Sequence, residues 1–222
     1  MLAPDPKAAT AQAATIHVVD DDVAVRDSIV FLLETAGYAV CAHATAPACL
    51  EAAPGTVIGC VITDVQMPEI DGLELQRRLA EAGCDLPVIV ITGHSDVPMA
   101  VRALKAGAMD FLEKPFDDSK LLAAVDQAIG ISRRAAEASA VARAAEERIA
   151  RLTAREREVL NAMVAGHASK EIARELGVSP RTVEVHRARV MEKMGARSVP
   201  ELVHLVHAMG TSTRNGTLSS GV

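Results

Sequence analysis

The chain has 222 residues, half of them hydrophobic, with no Trp, one Tyr and three Phe, so a core is feasible but falls to Val, Leu, Ile and Ala. That length suits one large domain or two small ones. Formal charge is −6 at pH 7 and uneven: residues 1–130 carry 19 acids against 8 bases, whereas residues 146–209 carry 11 bases against 9 acids. An acidic front and a mildly basic back suggest two domains with different partners. No apolar stretch approaches a membrane span. The four cysteines (Cys41, Cys49, Cys60, Cys84) show no metal-ligand spacing and read as reduced thiols of a cytoplasmic protein. Residues 1–14 contain a single Lys and no apolar run, and are expected to be a disordered lead rather than a signal peptide.

From residue 15 the chain alternates short apolar runs with amphipathic stretches. Strands are expected at Ile16–Val19, Ala39–His43, Val57–Thr63, Val88–Thr92 and Asp110–Leu112. Helical patterns lie between and after them, at Val23–Ala36, Ala46–Ala53, Leu73–Ala82, Pro98–Ala106 and Ser119–Ile129. Five strand–helix units in a row indicate a parallel sheet with helices on both faces, over residues 15–130. Residues 131–147 are rich in Ala, Arg and Glu without Gly or Pro, which fits a helical linker. From 148 to 210 the pattern is purely helical. Thr153 with Glu156 forms a capping box for a helix ending at Gly166. Ser169 is positioned to cap a second helix, Ser179–Pro180 starts a third that runs to Met194, and Val199 begins a fourth. The polar tail, 211–222, is expected to be disordered.

Two of the strands end in carboxylates. Ile16–Val19 runs into Asp20, Asp21 and Asp22, and Val57–Thr63 runs into Asp64. In an open parallel sheet the C-terminal rim is where ligands bind. If the two strands are neighbours, three or four carboxylates converge there and repel one another unless a hard cation joins them; oxygen-only ligands suit Mg²⁺. Asp22 is better read as the cap of the following helix.

The segments HVVDDD, ITDVQMPEIDG and VIVITGHSDVPMAVRALKAGAMDFLEKPF resemble the two-component receiver domain, with the flavodoxin/CheY-like fold, and the third resembles the FixJ branch in particular. The resemblance implies that Asp64 accepts a phosphoryl group from a sensor histidine kinase. It also implies that Mg²⁺ is held by Asp21 directly, Asp20 through water, Asp64, and the backbone carbonyl of Gln66. Lys114, before a cis Pro115, would reach a phosphoryl oxygen; Thr92 and Phe111 would form the switch. Met99, Val101, Arg102 and Lys105 are the expected contacts of a homodimer formed on phosphorylation. A Mg²⁺-dependent phosphohydrolase is the enzymatic rival, but the place of its usual second acid, two residues past the nucleophile, is taken by Gln66. The chain is therefore expected to act on no substrate beyond its own phosphoryl group.

Residues 148–210 resemble the LuxR-type helix-turn-helix shared by NarL and FixJ regulators. The resemblance implies promoter DNA as partner, with RNA polymerase at the same promoter and transcriptional activation as the outcome. The helix from Arg181 to Met194 would enter the major groove. Arg181, Glu184, Val185 and Ala188 share a face toward the bases, and Arg187 reaches a guanine or a phosphate. Lys170, Thr182, Arg189 and Lys193 are expected on the DNA backbone.

Overall fold

Val and Ile dominate the five apolar runs, and β-branched side chains pack well on a pleated, buried surface. A computed structural model of the chain describes residues 14–93 and 97–212, and of residues 97–100 and 208–212 only the backbone. The expected disordered lead (but for Ala14) and the tail beyond Ser212 lie outside the described residues. The chain divides into two units, Met1–Ala136 and Glu137–Val222.

In the first unit, strands β1 (Thr15–Val19), β2 (Ala39–His43), β3 (Gly59–Asp64), β4 (Val88–Thr92) and β5 (Asp110–Glu113) form one sheet in the order β2-β1-β3-β4-β5. All four pairings are parallel. Helices α1 (Val23–Thr35), α2 (Ala46–Ala52), α3 (Gly72–Glu81), α4 (Val97–Lys105) and α5 (Asp118–Ala150) connect and cover the strands. Alternation along each strand sends successive side chains to opposite faces. Val19, Val61 and Val90 therefore join a core with Cys49, Leu75, Leu79 and Ala103. Ile16, Val18, Ile62, Ile89 and Ile91 join another with Ile29, Leu33, Leu121 and Val125. Each such side chain contributes about 1.5–3 kcal/mol on full burial.

The third strand starts at Gly59 rather than Val57, because pairing begins where Gly59 faces Thr15. A Cβ on Gly59 would lie 1.9 Å from the Thr15 carbonyl oxygen, so the close approach demands glycine. Val57, outside the ladder, is exposed. Helix α5 begins in the first unit and runs without a break through the expected linker to Ala150.

In the second unit, α6 (Ala154–Val164), α7 (Ser169–Leu176), α8 (Pro180–Met194) and α9 (Val199–Ser212) follow. Leu160, Met163, Ile172, Val183, Val190, Met194 and Leu202 are buried together. The capping box of α6 is present, with Glu156 N–H on Thr153 Oγ1 and Thr153 N–H on Glu156 Oε2. At α7 the expected cap is displaced by one residue. Ser169 is already helical and Ala168 stands at the cap, its N–H donating to Glu171 Oε2 at 2.8 Å. Alanine has no acceptor to offer, so only the glutamate half of a box forms.

Candidate functional site

Register places the ends of β1 and β3 side by side: Val19 faces Thr63, and Asp20 and Asp64 follow at the same rim. Both carboxylates are nearly buried, at 2% and 7% exposure, while Asp21 is exposed beside them. The Lys114 ammonium, at the end of β5, donates to Asp20 Oδ2 at 2.8 Å and to Asp64 Oδ1 at 2.9 Å. Each remaining oxygen takes a backbone N–H: Asp22 N–H reaches Asp20 Oδ1 at 2.9 Å, and Gln66 N–H reaches Asp64 Oδ2 at 2.7 Å. Burial works to lower the Lys114 pKa but is outweighed by its hydrogen bonds to the two carboxylates, and the pKa is raised. Lys114 is therefore charged, yet one ammonium between two carboxylates, with Asp21 beside them, leaves the pocket net negative.

The loop after Asp64 is held close to the strand. Gly72 N–H donates to Val65 O at 3.0 Å, and a Cβ on Gly72 would meet the Asp64 carbonyl oxygen at 2.2 Å. Asp71 caps α3 through Glu74 N–H, and Asp22 caps α1 through Ala24 and Val25 N–H. The Lys114–Pro115 peptide is cis. Thr92 is fully buried at the end of β4, where its carbonyl accepts Lys114 N–H at 2.8 Å. The donors around the rim are all oxygens, which fits Mg²⁺ and does not fit a soft cation. Arg26, which the sequence reading passed over, donates from its guanidinium to the Asp20 carbonyl at 2.6 Å, fastening the strand end to α1.

The second unit presents a separate surface. Helix α7, Gly177 and α8 form a helix-turn-helix, and Ser179 Oγ accepts Thr182 N–H at 3.1 Å to cap α8. Val183 and Val190 point into the core. Arg181, Thr182, Glu184, Val185, Ala188 and Arg189 are exposed on the other side, and Arg187 is half-buried. Lys170 is exposed on α7. The Lys193 ammonium, also on α8, donates to Glu156 Oε2 at 2.6 Å and to the Arg151 carbonyl at 3.3 Å.

Comparison with known proteins agrees with both halves. Residues 16–126 match the response regulator receiver domain, and residues 150–206 match the LuxR family of bacterial regulatory proteins. The transcriptional regulatory protein FixJ of Bradyrhizobium diazoefficiens is 49% identical over 88% of this chain and 95% of its own. FixJ of Azorhizobium caulinodans is 51% identical over 89% and 93%. The chain belongs to the NarL/FixJ family of two-component response regulators. Among solved structures, the response regulator StyR superposes with a TM-score of 0.78 at 40% identity, over 88% of this chain and 98% of its own. Full-length FixJ from B. japonicum superposes with a TM-score of 0.54 at 48% identity, over 89% and 98%.

As a response regulator the chain pairs a receiver with a DNA-binding domain, which implies a sensor kinase and DNA as partners. Among the described residues no helix is long and apolar enough to cross a membrane. On α4, Val101, Arg102 and Lys105 are exposed; the side chain of Met99 lies outside the described residues. Leu104, about one turn from Val101 and also exposed, adds an apolar group that the sequence reading did not single out. Phe111 on β5 is half-buried against the core under α2, α3 and α4.

Proposed function

We propose that this response regulator is switched by a phosphoryl group on Asp64, taken from a phosphohistidine of its sensor kinase. The Lys114 bridge carries the reading: it fixes Asp64 and Asp20 at one rim, with Gln66 N–H on the second Asp64 oxygen. In the transfer an Asp64 oxygen attacks phosphorus, the P–N bond to the imidazole breaks, and the imidazole departs with the bonding pair. Little covalent work falls to the protein; positioning and charge neutralisation dominate. Asp20, Asp21, Asp64 and the Gln66 carbonyl would hold Mg²⁺, which would supply positive charge to shield incoming phosphoryl oxygens. Lys114 exchanges a carboxylate for a phosphoryl oxygen, and the Thr92 hydroxyl donates to another.

The added charge, about −2 at neutral pH, draws the Thr92 end of β4 toward the site, and Phe111 turns into the space released. The face built by α4 and β5, with Met99, Val101, Arg102, Leu104 and Lys105, then pairs with a second copy. Two copies of α8 read a two-fold promoter site in the major groove, through Arg181, Glu184, Val185, Arg187 and Ala188, with Lys170, Thr182 and Arg189 on phosphates. Recruitment of RNA polymerase in the cytoplasm completes an activating response. Incubation with acetyl phosphate and Mg²⁺ is expected to add the mass of one phosphoryl group, and Asp64→Asn to remove that gain. A wild-type chain that stays unmodified, or an Asp64→Asn chain that is labelled equally, overturns the assignment.

A further inference from the structure

Away from the carboxylate rim, the core face of the sheet that carries Val19 gathers nitrogen and sulfur donors. His17 projects from β1 on that face, two residues before Val19, and His43 stands opposite Val19 at the end of β2. Cys49, on α2, is wholly buried against the same layer. His17 Nδ1 and His43 Nε2 are 3.0 Å apart. One ring nitrogen from each histidine and the Cys49 sulfur all lie within 4.8 Å of one another. The two ring planes differ by 12° and their centroids are 5.2 Å apart. That spacing is the nitrogen–nitrogen distance plus two ring radii, so the imidazoles meet edge to edge in one plane and share a proton.

We propose that His17 Nδ1, His43 Nε2 and Cys49 Sγ form a binding site for one thiophilic cation of the zinc class, separate from the Mg²⁺ pocket. Mixed imidazole and thiolate donors select such a cation and are poor ligands for Mg²⁺. The orienting bond is already in place. His17 Nε2 lies 2.7 Å from Thr56 Oγ1; the tautomer that donates there leaves Nδ1 to face the cation, as the outer hydrogen bond of a metal-bound histidine does. Both imidazoles are neutral near pH 7: burial, then the neighbouring His43, pushes His17 down to about 4, and burial lowers His43 as well. No proton has to be driven off either ring. The half-buried His43, on an edge strand, opens a path from solvent, and a water fills the fourth position.

The proton balance is definite. The proton shared by the rings shifts to His43 Nδ1 as both nitrogens turn toward the cation. The Cys49 thiol, pushed up to about 12 by burial and then by nearby Cys84, releases its proton to solvent. One proton leaves per ion bound, so the apparent affinity tightens about tenfold per pH unit near neutrality. Occupancy ties β1, β2 and α2 together next to Asp20, whose N–H donates to the His43 carbonyl at 3.3 Å.

Cobalt(II), a spectroscopic substitute for zinc, tests the site on the full-length, metal-stripped chain in excess Mg²⁺. A near-ultraviolet thiolate-to-cobalt band is expected to saturate at one equivalent and to bleach when one equivalent of Zn²⁺ is added. It disappears in Cys49→Ala, weakens at least tenfold in affinity in His43→Gln, and is unchanged in Cys84→Ala. No band in the wild type, or a band that survives Cys49→Ala, overturns the proposal. Should Cys49→Ala fail to fold, His43→Gln decides: wild-type cobalt affinity in that variant overturns it.

Discussion

Lys114 keeps its place by answering two buried carboxylates at once. Its side chain is only 22% exposed, and the two partners are nearly buried, so the ammonium offsets part of the carboxylate charge directly rather than leaving it all to water, and one net negative charge remains. Removing one member of such a group leaves an unpaired buried charge, which is the costly case; charge-assisted hydrogen bonds are worth about 1.5–3 kcal/mol each. A divalent cation in the pocket would take over that role. Lys114→Met is therefore expected to destabilise the receiver by about 2 kcal/mol in chelator, and by clearly less with saturating Mg²⁺. Urea unfolding under the two conditions measures the difference. An equal loss in both would mean that Mg²⁺ and Lys114 do not share the same carboxylates. At this scale the acids were legible in the sequence because they close apolar runs bounded by turn residues, and Lys114 was legible through the resemblance to receiver domains. The His17–His43–Cys49 group was not legible: its members are 26 and 6 residues apart and belong to no spacing motif; parallel pairing of β1 with β2 brings the histidines together, and the packing of α2 on that face adds Cys49.

Elements are joined by few polar contacts, and Glu156 makes one of the most consequential. It closes the capping box of α6 and accepts the Lys193 ammonium of α8, so one carboxylate locks the first helix of the DNA-binding unit to its recognition helix. The bond from Lys193, then the Thr153 N–H, holds the Glu156 carboxyl down to about 2, well below its ordinary 4.5. A lowered acid stabilises the fold fully above the unfolded value and gives that up as pH falls. The contribution is thus complete above about pH 4.5 and lost progressively toward pH 2. Glu156→Gln is expected to lower Tm at pH 7 and to flatten the decline across that acid window, in melts of the full chain against wild type. Lys193→Gln separates structure from recognition. It is expected to lower Tm while leaving the salt dependence of DNA binding unchanged, whereas loss of a phosphate contact would reduce the log–log slope by about one. Helix and strand order followed from hydrophobic period and turn residues. The errors sit at boundaries, Val57 against Gly59 and Ser169 against Ala168, where strand register or a neighbouring glutamate overrides local preference. The Lys193–Glu156 bond was hidden for a related reason: sequence marks a basic residue on α8 but not the carboxylate from another helix that it meets.

For the whole molecule, the uneven charge sets the problem. The stretch from 170 to 197 holds 7 bases against 4 acids, too slight an excess for one copy to grip DNA at physiological salt. Under the proposed pairing, affinity comes from joining two copies. A linked second site acts at an effective concentration that raises overall binding about 10²–10⁴-fold without a new contact. The exposed Val101 and Leu104 on α4, flanked by Arg102 and Lys105, are the apolar and basic groups available for that pairing. Phosphorylated protein is accordingly expected to run as a dimer by light scattering, and to bind a two-fold operator fragment about a hundredfold more tightly than resting protein. Its salt slope should be about twice that on a half-site, since the number of phosphates neutralised doubles. Leu104→Glu should keep Asp64 labelling while abolishing both the dimer and the affinity gain, because it places an acid in the paired face without touching the carboxylate rim. A labelled Leu104→Glu chain that still dimerises would move the interface off α4, and labelled wild type that binds the operator as a monomer would remove dimerisation from the mechanism.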